Sequence, residues 1–288
     1  MKEGNSLIAL PQQLVEGNIK AAEGKAAMPF WRMALLGVFA GMFIAGGAAA
    51  SSAAMHAVGN VGLARFIGGC IFPVGLMMIV FIGGELFTGD CMMIMGCIHR
   101  KYPAVTMLRV LAIVWLANLI GAVAVAAMAY GSGQYDYTSG LLGAYTIKVA
   151  LAKVSVSFPA AFISGIMCNV FVCGAVLMAS AAKDIAGKVW AIFFPIMAFV
   201  VSGYEHCVAN MYYVPAGIFA LFDNTYKSAA IEQYGFTLKE LDKLNWGNYF
   251  LHSAIPVTLG NIVGGMVFVA VPLYVIHRKN IIKSEAGN

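Results

Sequence analysis

Long apolar runs alternate along the chain with short polar joints, and two of those runs carry a glutamate where a membrane helix should hold none. The first covers residues 66–98 and contains Gly83-Gly84-Glu85-Leu86-Phe87-Thr88-Gly89-Asp90. The second covers residues 189–221 and contains Gly203-Tyr204-Glu205-His206-Cys207-Val208-Ala209-Asn210. Each is about 33 residues long, roughly 50 Å as one straight helix, against a hydrocarbon core of roughly 30 Å. Two complete spans need more than roughly 40 residues, so neither run is a hairpin of full helices. Each reads as a helix broken near midplane, where irregular backbone survives only if protein or a water-lined cavity satisfies it. Broken helices at corresponding places in two halves point to a transport site.

The pattern predicts an all-α membrane protein of six passages: 33–55, the broken 66–98, 105–130, 158–182, the broken 189–221 and 249–276. An even number puts both termini on one face. The termini and the even-numbered loops carry twelve Lys and Arg residues against six on the opposite face, which places the termini in the cytoplasm. The halves repeat. Aligning Glu85 with Glu205, an offset of 120, also pairs Gly83 with Gly203, Gly89 with Ala209 and Asp90 with Asn210. The last passages of the halves share Asn118-Leu119-Ile120-Gly121-Ala122 and Asn261-Ile262-Val263-Gly264-Gly265 at an offset of 143, because the polar stretch 223–247 is longer than its counterpart. Three passages per half predict an inverted three-plus-three repeat, residues 33–131 and 157–276, within one transmembrane domain spanning 29–288. Ahead of it, residues 1–28 include a weakly amphipathic stretch with Leu7, Leu10, Leu14, Val15 and Ile19, expected to lie at the cytoplasmic interface.

Composition agrees with the membrane reading: 61% hydrophobic, 11% charged and a mean hydropathy of +0.82, where a soluble domain needs about 25% charged residues. The net charge of +5 is dispersed over short loops, not grouped into a nucleic-acid-binding stripe. The six cysteines sit inside apolar runs without metal spacing, so packing is expected of them and neither metal nor cofactor is implied. From residue type alone, Thr88 and Asp90 would cap the second half-helix, Asn118 and Asn261 would join helices, and Lys148 would be solvated.

Three motifs in order, Gly84-Glu85-Leu86-Phe87-Thr88-Gly89, Gly203-Tyr204-Glu205-His206-Cys207-Val208-Ala209-Asn210-Met211 and Thr258-Leu259-Gly260-Asn261-Ile262-Val263-Gly264-Gly265, resemble the formate/nitrite transporter family over nearly the whole chain. The resemblance implies an aquaporin-like protomer, a homopentamer with one pore per protomer, and, for a bacterial formate channel, the inner membrane. It implies that His206 is a central pore histidine faced by Thr88 from the other break. Phe72, Leu76, Leu86, Phe87 and Phe199 match two apolar constrictions flanking it, and Lys153 matches a lysine of the periplasmic vestibule. Asn169 and Glu205 resemble a polar pair behind the histidine, expected to fix its tautomer. Lys25 resembles a basic residue of an N-terminal gate.

An anion crossing Phe and Leu slits pays many kcal/mol in desolvation, so a histidine between them is expected to hand it a proton. In water that transfer is uphill by about 3 pK units, or about 4 kcal/mol; a dry pore narrows the gap. The expected substrate is formate, with nitrite, hydrosulfide and lactate behind it, and an obligate proton symporter is the nearest alternative. An aquaporin-type facilitator would carry Asn-Pro-Ala at each break, and an intramembrane enzyme would need converging nucleophile and base or metal ligands; the chain shows neither pattern.

Overall fold

The computed structural model describes residues 8–286, with side chains through Ile282. Twelve helices account for the site. Helix α1 (Pro11–Ala26) packs against the last helical segment, Val271–Ala286, and these two terminal helices mark one face of the bundle, the termini face. Then come α2 (Phe30–Met55), α3 (Val61–Ile71), α4 (Val74–Ile82), α5 (Phe87–Ile98) and α6 (Ala104–Gly131). The second half continues with α7 (Leu141–Val154), α8 (Phe158–Ala181), α9 (Ile185–Ser202), α10 (Cys207–Ala220), α11 (Asn224–Tyr234) and α12 (Trp246–Ile282). Six helical segments among the described residues are long and apolar enough to cross a membrane: α2, α3 with α4, α6, α8, α9 and α12. The half-helices α5 and α10 are too short to span and complete the broken passages. Much of the outer surface is apolar and exposed, with Phe39, Leu116, Ile120, Phe194 and Phe268 facing out, as a lipid-solvated bundle requires. Residues 1–7 of the N-terminal segment, Leu7 among them, lie outside the described residues.

Both breaks fall where glycine permits them. Gly83, at φ 109°, ends α4, and Gly203, at φ 76°, ends α9; an L side chain is strained at either value. The next residues run extended before the second half-helix starts, after Leu86 in one case and after His206 in the other.

The core packs in two matched pairs, α2 against α6 and α8 against α12. Backbones approach so closely there that a Cβ added at Gly41 would stand 2.1 Å from the Asn118 carbonyl oxygen, and one at Gly260 2.1 Å from that of Phe162. Small residues at such crossings supply the packing that a hydrophobic force cannot supply in lipid. Helices α1 and α12 share a small apolar cluster, with Val15 and Ile19 against Tyr274 and Ile281, so the first and last described helices meet on one face.

Two features differ from the sequence expectation. Residues 141–154 were expected to be a joint, but they form the buried helix α7, packed on α10 and α11. Its apolar run is too short and too often interrupted by lysine to register as a span. The last passage contains two π-helical stretches, Tyr249–Ala254 and Gly264–Ala270; a shifted hydrogen-bond register leaves no mark in residue type.

Candidate functional site

The two breaks meet side by side. Thr88 Oγ1 lies 3.2 Å from His206 Nε2, and both side chains are buried. His206 is also the N-cap of α10: the Ala209 backbone N–H donates to its Nδ1 at 3.1 Å. A neutral ring whose Nδ1 accepts carries its one proton on Nε2, where it points at Thr88. Local backbone, not a carboxylate, therefore fixes the tautomer. Thr88 sits inside α5 and caps nothing; the N-cap there is Leu86, without a side-chain bond.

The freed backbone groups are satisfied by two asparagines acting alike. Asn118 Oδ1 accepts from the Phe87 N–H at 3.0 Å, while its Nδ2 donates to the carbonyls of Gly37 at 2.7 Å and Glu85 at 2.9 Å. Asn261 Oδ1 accepts from the Cys207 N–H at 2.9 Å, while its Nδ2 donates to the carbonyls of Gly165 at 2.7 Å and Glu205 at 3.1 Å. The expected helix-joining role falls short of this: each residue holds a broken end in place as well as a neighbouring helix. Asn169 Nδ2 donates to the carbonyls of Thr88 and Asn261. It makes no bond to Glu205, so the expected polar pair does not form; Asn169 holds the Thr88 backbone instead.

The glutamates face opposite mouths, and each binds a lysine. Glu205 Oε1 accepts from Lys153 Nζ at 2.7 Å and its Oε2 from Asn210 Nδ2 at 2.7 Å. Lys153 is on the last turn of α7, not in a loop. At the other break, Lys25 Nζ on α1 donates at 2.5 Å to both Glu85 Oε2 and Asp90 Oδ1. Burial opposes the Lys25 charge, but Asp90 and then Glu85 outweigh it and hold its pKa above the usual lysine range.

Two cavities approach the paired breaks. The larger, about 750 Å³, reaches His206 and is lined by Phe72, Phe199, Lys153 and Glu205. The Phe72 and Phe199 rings meet edge to face at 5.7 Å, and Phe199 stacks on the His206 imidazole at 5.9 Å. The smaller, about 360 Å³, opens beside α1 on the termini face and is lined by Leu76, Leu86, Lys25 and Asp90. The five apolar candidates thus divide into Phe72 with Phe199 on one side and Leu76 with Leu86 on the other. Phe87 and Thr88 are buried and line neither cavity.

Arg65 and Lys148 line the larger cavity beside Lys153, and Lys148 Nζ sits 4.4 Å from the centre of the Tyr234 ring. Lys148 is therefore part of a cationic mouth, where a freely solvated side chain was expected. The signal that could have located it was two lysines five residues apart within one apolar helix.

Known proteins share this plan. Residues 12–275 match the sequence profile of the family described as formate/nitrite transporter. A probable formate transporter of Methanothermobacter thermautotrophicus is 37% identical, over 86% of this chain and 90% of its own length. The formate channel FocA of Haemophilus influenzae is 35% identical, over 73% of each chain. Among solved structures, a pentameric formate channel with formate bound superposes with a TM-score of 0.75 at 31% identity, covering 86% of this chain and 97% of the other. An FNT family ion channel gives a TM-score of 0.76 at 26% identity, covering 92% and 98%.

Proposed function

Because the chain belongs to the formate/nitrite transporter family and is therefore an integral membrane transport protein and no enzyme, we propose that it passes small monovalent anions of weak acids, formate first. The observation that carries this reading is the Thr88–His206 contact, set between an aromatic pair and a leucine pair with a cavity leading to each. We read the protein as a homopentamer in the inner membrane of a bacterium, termini in the cytoplasm, with the larger cavity as the periplasmic vestibule. The halves are read as an inverted repeat whose unit includes α1 and α7, because Lys25 stands to Glu85 as Lys153 stands to Glu205.

Arg65, Lys148 and Lys153 gather anions at the wide mouth. Beyond Phe72 and Phe199 the path runs between buried side chains, and there the neutral acid is by far the cheaper species to move. Nε2–H of His206 offers it one hydrogen bond and the Thr88 hydroxyl a second. Handing over a proton from Nε2 leaves an imidazolate unless Nδ1 gains one, and Nδ1 is occupied as acceptor of the Ala209 N–H. Proton donation by His206 therefore requires the α10 cap to break, at a cost of about 0.5–2 kcal/mol. Leu76 and Leu86 form the second slit, and Lys25 stands at the exit.

The test is uptake by proteoliposomes of formate, nitrite, hydrosulfide and lactate, comparing the wild type with His206→Asn. Formate is expected to lead, and the substitution to abolish uptake of the neutral acid or the coupled proton movement. Unchanged proton-coupled uptake in the variant would make His206 structural, and well-folded wild type that moves no anion would overturn the transport reading.

A further inference from the structure

The two lysine sites are built alike except at one position. At the wide mouth Lys153 binds Glu205, which also accepts from the neutral amide of Asn210, so the set sums to zero charge. At the termini face Lys25 binds Glu85, and the residue at the place of Asn210 is Asp90, a second carboxyl on the same ammonium. If every group there is ionised, one negative charge is left uncompensated. Both carboxylate oxygens lie 2.5 Å from one nitrogen, which puts them within about 5 Å of each other, where two like charges favour retaining a proton. Asp90 is 1% exposed, lines the smaller cavity, and its Oδ2 has no hydrogen-bond partner. An unpartnered carboxylate oxygen buried beside a cavity wide enough to admit water is where a proton would sit.

We propose that Glu85 and Asp90 form a proton-binding pair that sets the charge of the termini-side mouth, admitting anions from that side when protonated and repelling them when not. The groups facing Asp90 leave no other compensation. They are Lys25 from α1, Glu85 from the break, Cys91 on its own helix, Cys173 from α8 and Tyr102 from the turn before α6, and among these described residues only Lys25 is a cation. The opposite mouth, with Arg65, Lys148 and Lys153 against Glu205, holds no such pair. Entry from the termini face therefore falls as the pH on that face rises, while entry from the other face does not follow this site. The proposal rests on the anion-transport reading for its flux consequence but not for the proton site itself.

The experiment uses the full chain in right-side-out and inverted membrane vesicles, with formate as probe, comparing wild type, Asp90→Asn and Glu85→Gln. Each variant leaves Lys25 with one carboxyl, the arrangement already present at the wide mouth. The ratio of variant to wild-type uptake cancels the titration of formate itself. It is expected to be near one at low pH and to rise about tenfold at high pH on the termini face, as one uncompensated charge near the path implies, and to stay flat when the other face is titrated. A ratio flat on both faces, with uptake intact, overturns the proposal. An infrared titration of the purified protein reads the proton directly: a protonated-carboxyl band is expected in wild type and absent from both variants. If wild type moves no formate, the transport reading fails while the infrared result still decides the proton site; a band unchanged in both variants overturns it.

Discussion

Replacing Asn261 by leucine removes one polar side chain and strands backbone that no solvent can reach. The substitution keeps the volume roughly constant, so cavity formation contributes little. It deprives the Cys207 N–H and the Glu205 carbonyl of their partner, whereas the Gly165 carbonyl lies inside α8 and keeps its helical bond. Each stranded group costs about 1–3 kcal/mol, giving about 2–6 kcal/mol in all. If Asn261 were only an interhelical link, its three bonds at about 0.6 kcal/mol each would sum to under about 2 kcal/mol. The two roles are therefore separable by magnitude. Asn118→Leu strands the Phe87 N–H and the Glu85 carbonyl in the same way, so its cost should match to within about 1 kcal/mol. The assay is reversible unfolding of purified protein in mixed micelles at rising denaturing detergent, followed by tryptophan fluorescence. A cost below about 2 kcal/mol for both variants would refute the break-clamp argument, and a large cost for one alone would refute the equivalence of the two halves.

Three further outcomes are expected. Lys153→Met leaves the Glu205 carboxylate, 6% exposed, with only Asn210 as partner, and should cost about 2–4 kcal/mol in the same assay; adding Glu205→Gln should restore most of it, and failure to do so would mean the pair is not the cause. Gly260→Ala pushes a methyl onto the Phe162 carbonyl and should destabilise by about 1–3 kcal/mol, read as a lowered melting temperature in detergent, where an unchanged value would contradict the close α8–α12 packing. Phe199→Ala removes the ring that contacts both Phe72 and His206, so lactate uptake relative to formate should rise several-fold; an unaltered ratio would show that this aromatic pair does not limit size.

The broken helices were readable because the residues that make them possible are themselves unusual. A glycine pair or glycine–tyrosine followed by glutamate has no place in a continuous membrane helix, and both breaks lie where that composition puts them. The matched asparagines were readable as a pair for the same reason. Their partners were not. Asn118 reaches Gly37 and Glu85, Asn261 reaches Gly165 and Glu205, and nothing local in residue type says which carbonyl a buried amide will meet. The tautomer of His206 was assigned to the wrong group because Glu205 is adjacent in sequence, yet the ring turns to the N–H of Ala209 three residues on.

Sequence by itself determined the membrane class, the breaks and the chemistry gathered at them, since lipid penalises every unpaired polar group and so makes each exception conspicuous. Tertiary structure alone decided which lysine meets which carboxylate, which apolar side chains face a cavity, and that one mouth is cationic while the other holds a single lysine between two carboxyls. Those outcomes depend on contacts between helices from 50 to more than 100 residues apart. Charge and burial at such sites are properties of the assembled surroundings, and a pattern along the chain records only which groups are available to be brought together.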